Sequence, residues 1–186
     1  MAYAMAVAID EFRCEAAVYS AGYPTGIGFT DADVAEDLFD LNLQLIRAND
    51  EYQAHLDVER LRHDVLKTVV FHVRYMSKVA ARFLHEVPVD LASMNKFARE
   101  NWEALIEPTW SQFLGIYQAV PSAFSPWTAT ASQATIDKLV GVVASLMTSF
   151  GYEATEDAFY VHLSVEEVQA RFDRANAEAD LLGHTP

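Results

Sequence analysis

From Phe29 to Val87 the chain contains neither glycine nor proline, and that run limits what the remaining residues can build. Stepping through it by three and four residues from Val34 gives Leu38, Leu41, Leu45, Ala48 and Tyr52. The stepping continues through His55, Glu59 and Arg62 to Leu66, Val69, Val73, Met76, Ala80 and Phe83. This is the periodicity of one face of an amphipathic helix, apolar here except at three adjacent positions. Thr30 with Asp33 forms a capping box at its start, and Asp31, Glu36 and Asp37 suit the positive helix end. Pro88 marks the stop, because the residue before a proline disfavours helical backbone. A single helix over 30–87 is too long for a compact domain. Asn and Asp favour caps over helix interiors, so a break is expected at Ala48-Asn49-Asp50, with the second helix the longer. A strand over Lys67 to Met76 is the rival reading, since β-branched and aromatic residues alternate there. No turn residue bounds that segment, which favours the helix.

The rest of the chain reads as helices too. Met5, Ile9, Phe12, Ala16 and Tyr19 share a face of a first helix within 1–28, closed by the turn Gly22 to Gly28. That glycine-rich turn lacks a preceding strand and a third spaced glycine, so it reads as structural and not as a phosphate cradle. Asp90 is expected to cap a helix or kinked pair over 90–119, with Pro108 at the first position of its second half. A loop follows over 120–132. Thr130 with Gln133 is the expected cap of a helix over 133–150, and Gly151 its C-terminal stop. The small face Gly141, Ala144, Ser145 and Thr148 suggests close approach by another helix. Phe159, Val161 and Leu163 alternate as a short extended segment. Ser164 with Glu167 is a capping box for a last helix over 164–182, ended by Gly183. The fold expected is all-α, one domain of about six or seven helices, wrapped around the second, the third and the helix over 133–150.

Length and composition restrict the function. At 186 residues and 52% hydrophobic, the chain can bury a real core. A net charge of −14 argues against a general nucleic-acid binder, which needs cations to release counterions. The single cysteine, Cys14, allows no internal disulfide and is expected to be a buried, inert thiol in a reducing compartment. No basic region precedes the apolar stretch Ala2 to Ile9, and no apolar run is long enough to span a bilayer. The expected setting is cytoplasmic.

Four groups of residues could carry chemistry or binding. His55, Glu59 and His63 follow at i, i+4 and i+8, with Glu51 one turn earlier, so they can share a groove. Imidazole plus carboxylate is how many bundle metal sites are built. The residue types agree with a metal site, but the spacing matches neither His-Glu-x-x-His nor the Glu-x-x-His of carboxylate di-iron bundles. Alternatively Glu59 pairs with Arg62 or His63, and His55 caps the core edge. His72, Glu103 and Glu107 would have to complete a ligand set. A haem held between His55 and His85 would need the chain to turn between them, and no proline or glycine is available to do so.

Arg60, Lys67, Arg74, Lys78 and Arg82 form a basic stripe, and nine of the thirteen Lys and Arg residues fall between Arg47 and Arg99. The stripe could bind an anion or an acidic partner, pair with its own helix, or receive the acidic terminal helices. Phe124 and Trp127 sit in a proline-framed loop. They are either interface anchors or a plug over Trp102 and Trp110. There is no nucleophile elbow and no phosphate-binding lysine loop. His162 reads as a half-exposed histidine between Val161 and Leu163.

The expectation is a non-catalytic acidic helical module, a regulator, inhibitor or assembly factor that binds another protein, with a homodimer compatible with the small-residue face. The alternative is a metal- or small-ligand-binding bundle, including a redox enzyme, centred on His55, Glu59 and His63. No particular cofactor is indicated.

Overall fold

A computed structural model describes residues 1–22, 30–85, 88–121, 125–155 and 158–182. The fold is all-α, with one two-stranded hairpin. Helix α1 (Ala2–Ser20) is followed by α2 (Asp31–His55) and α3 (Val58–Leu84). Then come α4 (Lys96–Asn101), a π-helical turn (Trp102–Ile106) and α5 (Glu107–Gln118), which run on as one rod. Helix α6 (Ala129–Ser149), strands β1 (Tyr152–Ala154) and β2 (Phe159–Val161) and helix α7 (Val165–Leu182) complete the chain.

The glycine-free run does contain two helices, the second longer, but the break lies at Leu56-Asp57 and not at Ala48-Asn49-Asp50. Asn49 is buried inside α2 because its side chain has partners there. Its amide donates to the Leu45 carbonyl and to the Tyr152 hydroxyl of the hairpin. An Asn that is fully bonded has no reason to end a helix. Leu56 ends it in left-handed backbone (φ 55°), its N–H bonding the Tyr52 carbonyl, and Asp57 caps α3 through the Arg60 N–H. Lys67 to Met76 is helix, not strand.

Several expected caps occur as read. Thr30 and Asp33 form the reciprocal box on α2, and Ser164 and Glu167 do so on α7. Gly151 follows α6 at φ 87°, and a Cβ there would meet the Leu163 side chain at 2.5 Å, so glycine is required twice over. Two caps are displaced. Asn95, not Asp90, caps α4, while Asp90 closes the preceding turn through the Ala92 N–H. Thr128, not Thr130, caps α6. Pro108 opens α5 directly after the π turn, where the Glu107 N–H bonds back to the Trp102 carbonyl. Proline lacks an N–H and crowds the carbonyl four residues earlier, and a widened turn accommodates both. Glycines 22 to 28 fall largely outside the described residues, as do Gly183, Phe29 and Val87.

Helix α3 is the hub: α1, α2, α5 and α6 all pack on it. Helix α6 also packs on α1, α3, α5, the π turn and β1, but its small face of Gly141, Ala144, Ser145 and Thr148 is exposed and receives no helix among the described residues. The α3 seam of Leu61, Val65, Val69, Val73, Met76, Val79 and Ala80 is buried throughout. Aromatic rings join α1 to α5, with Phe12 against Tyr117, Tyr117 against Phe113 and Phe113 against Trp110. Burial pushes the Tyr117 phenol far above its ordinary range. The hairpin pairs Tyr152 with Val161, Glu153 with Tyr160 and Ala154 with Phe159, antiparallel. Its buried Tyr152 anchors it to α2 through Asn49. Cys14 is exposed, contrary to the buried thiol expected. No described helix is long and apolar enough to cross a membrane.

Candidate functional site

The polar positions in the long seam fall around the α2–α3 corner. His55 ends α2 and sits 3.7 Å from Glu51, while Glu59 and His63 lie on the first turns of α3. All three are exposed, and the left-handed Leu56 takes them off a common helical face. Among the described residues no three His, Cys, Asp or Glu side chains gather as a metal site. Glu103 and Glu107 are exposed on and beside the π turn. The chain does turn between His55 and His85, without glycine or proline. Those two histidines nevertheless lie at opposite ends of α3, about 40 Å apart for a helix of that length. His85 stacks on Tyr19. They cannot face each other across a haem.

The basic stripe is dispersed into separate contacts. Arg60 reaches Glu51 at 3.1 Å and Asp64 at 3.8 Å. Arg74 pairs with Glu11 of α1, which is the docking of an acidic terminal helix that the charge pattern allowed. Arg82 holds Asp31 at 2.8 Å and the Pro88 carbonyl at 3.2 Å. Lys67 and Lys78 have no ion-pair partner among the described residues. Trp127 is half-buried against the core, under the Arg13 guanidinium, and Arg13 also donates to the Ser125 carbonyl. Phe124 lies outside the described residues. His162 is exposed and meets Glu153 at 3.1 Å.

Among the described residues, α2 borders two concave features. The larger is a groove of about 1150 Å³ between α2 and α7, with Ser93, Met94 and Asn95 also in its lining. One wall is a second apolar stripe of α2, with Ala35, Phe39, Leu43 and Ile46. The other is α7, with Phe172, Ala175 and Ala179. Asp31, Glu36, Asp40 and Asp50 stand along the same groove, with Arg47 as the single cation in its lining. The long α2 stripe read from Val34 faces α3, and this second stripe lies beside it.

Helix α7 is held by polar contacts at its inner edge. Arg171 donates to the Phe150 carbonyl, and Arg174 meets Glu100 at 2.9 Å and the Phe97 carbonyl at 3.3 Å. Glu178 is buried with one carboxylate oxygen lacking a hydrogen-bond partner, and burial raises its pKa above the ordinary value. Of the apolar α7 residues, Ala175 is buried, whereas Val165, Phe172 and Leu181 are exposed. The helix presents apolar surface that no described residue covers.

The smaller feature is a cleft of about 370 Å³ between α2 and α3, with Asp37 and His72 in its lining. His72 Nδ1 and Asp37 Oδ2 are 2.6 Å apart, and both side chains are buried. His72 Nε2 is buried without a hydrogen-bond partner among the described residues. Sequence reading passed over this pair because its members are 35 residues apart. A usable signal existed: His72 interrupts the apolar positions Val69, Val73 and Met76, and Asp37 adjoins Leu38. Two polar residues on the facing stripes of neighbouring helices need each other.

No protein-family model matches the chain, and neither a curated protein nor a solved structure matches it.

Proposed function

We propose that the protein is a non-catalytic interaction module that seats an apolar-faced, basic segment of another protein in the α2–α7 groove. The observation that carries this reading is the groove itself, whose two walls are apolar and whose rim is acidic. Phe172 lines the groove while 41% exposed, and Val165 and Leu181 are further apolar residues of α7 open to solvent. An amphipathic helix laid in a hydrophobic groove, with charge of the opposite sign at the rim, is a recurring recognition mode. Net charge of −14 would steer such a basic segment towards the protein and set its orientation.

The test is a titration, followed by fluorescence anisotropy, with designed helical peptides of 18 residues, the length of α7. One peptide carries a leucine stripe with lysines elsewhere; its counterpart carries glutamates. The lysine peptide should saturate the protein, and the glutamate peptide should bind at least about tenfold more weakly. Ala179→Arg, which places a bulky cation in the groove wall, should weaken the lysine peptide by about the same factor. Equal binding of the two peptides, or indifference to Ala179→Arg, would sink the proposal.

A further inference from the structure

We infer that α7 is a pH-responsive strap along the α2–α7 groove: Glu178 seats the second half of the helix when protonated and unseats it when ionised. Helix α7 is one wall of that groove, so its seating sets the groove's width. The titration needs no occupant, and the inference therefore stands apart from what the groove binds.

The starting point is how little holds the helix down. Among its described residues only Ala175 and Glu178 are buried, and Glu178 is the deeper, at 1% exposure. An alanine removes little apolar area from water, so the seat depends on how the glutamate fits. The first half of α7 is tied separately, by Arg171 to the Phe150 carbonyl and by Arg174 to Glu100 and the Phe97 carbonyl. Beyond Arg174 no ion pair fastens the helix among the described residues. What does hold there is Glu178 against Asn95, the residue that caps α4.

That seat suits one charge state better than the other. Asn95 gives its Oδ1 to the Ala98 N–H, which leaves its amide to donate to Glu178. The remaining carboxylate oxygen, Oε1, is buried without a hydrogen-bond partner. Ionisation therefore places a charge in the interior with one oxygen unbonded, whereas the protonated group is neutral and loses far less on leaving water. The surrounding charges do not reverse this. Burial raises the pKa, and Arg174, one turn earlier, opposes it less strongly because its guanidinium is turned to Glu100. Lys96 also lies towards Glu100, at 3.8 Å. Across the groove α2 presents Asp31, Glu36, Asp40 and Asp50 with Arg47, and none of these cations pairs with Glu178 among the described residues. The seated helix thus holds the proton more tightly than the unseated one, and rising pH favours unseating.

The test is hydrogen–deuterium exchange of the free, full chain at a series of pH values from about 4 to about 8, spanning the carboxyl's ordinary value and well above it. Each rate is divided by the intrinsic rate of the same segment at that pH, so that what remains is protection. Protection over residues 175–181 should fall by about tenfold or more as pH rises, while that of α3 stays level. In Glu178→Gln, which is neutral at every pH, protection should stay high and level across the series. Asp180→Asn removes an exposed carboxylate of the same helix and should keep the parent's fall. A level profile in the parent would overturn the proposal without reference to any variant. So would a fall that survives Glu178→Gln, a fall abolished by Asp180→Asn, or a parallel fall in α3, which would mean that the whole bundle titrates. No peptide is present, so these outcomes are independent of the docking titration.

Discussion

Helices α3 and α7 are both amphipathic, yet the bundle treats them differently. Helix α3 buries its whole stripe from Leu61 to Ala80 under four neighbours. Helix α7 rests chiefly on α2 and leaves Val165, Phe172 and Leu181 open to solvent. The inner side of α7 even carries a buried carboxylate, Glu178, where α3 carries valines. An apolar stripe states that a face gains by being covered; it does not state by what. Within this chain the cover for α3 is internal, and for α7 it is incomplete.

Substitutions can break or sharpen this contrast. The largest effect is expected at Leu38, which is fully buried against the α3 side. Leu38→Ala should cost about 4 kcal/mol in urea unfolding, because removing buried methylenes leaves a cavity. Asp37→Ala should follow at about 3 kcal/mol, since it strands His72 in the interior without its partner. Leu56→Gly should act in the opposite direction. It relieves left-handed backbone at a non-glycine residue, and about 1 kcal/mol of added stability should appear as a higher melting temperature.

The α7 side should respond weakly and with pH. Burial raises the Glu178 pKa above its unfolded value, so its contribution to stability is fully present below the unfolded value and is lost as pH rises through the folded one. Glu178→Gln should therefore raise the melting temperature by a few degrees at neutral pH. The gain over the parent should vanish below about pH 4. Smallest of all, Phe172→Ala should change stability by no more than about 0.5 kcal/mol, as at surface positions, in contrast with Leu38→Ala.

Local chemistry made much of the fold readable. The boxes at Thr30/Asp33 and Ser164/Glu167, the stop at Gly151 and the valine-rich seam of α3 each involve residues a few positions apart. What escaped depends on distant partners. Asn49 reads as a helix end until Tyr152 arrives from the hairpin to bond it. Leu56 carries no turn signature at all, and the chain bends there because α2 and α3 gain by packing antiparallel. The seam's polar positions invited a ligand cluster at His55, Glu59 and His63; the bend leaves His55 on α2 and the other two on α3, all three exposed. The buried pair Asp37–His72 and the groove beside α7 arise only from how helices are placed. No short-range rule reports them.

The most direct test of the central contrast is hydrogen–deuterium exchange of α3 and α7, with and without the lysine-bearing peptide. Amides of α3 should be strongly protected throughout, and those of α7 should exchange quickly in the free protein. Saturating peptide should slow α7 and leave α3 unchanged. Equal protection of the two helices in the free protein, or no change in α7 at saturation, would contradict the account.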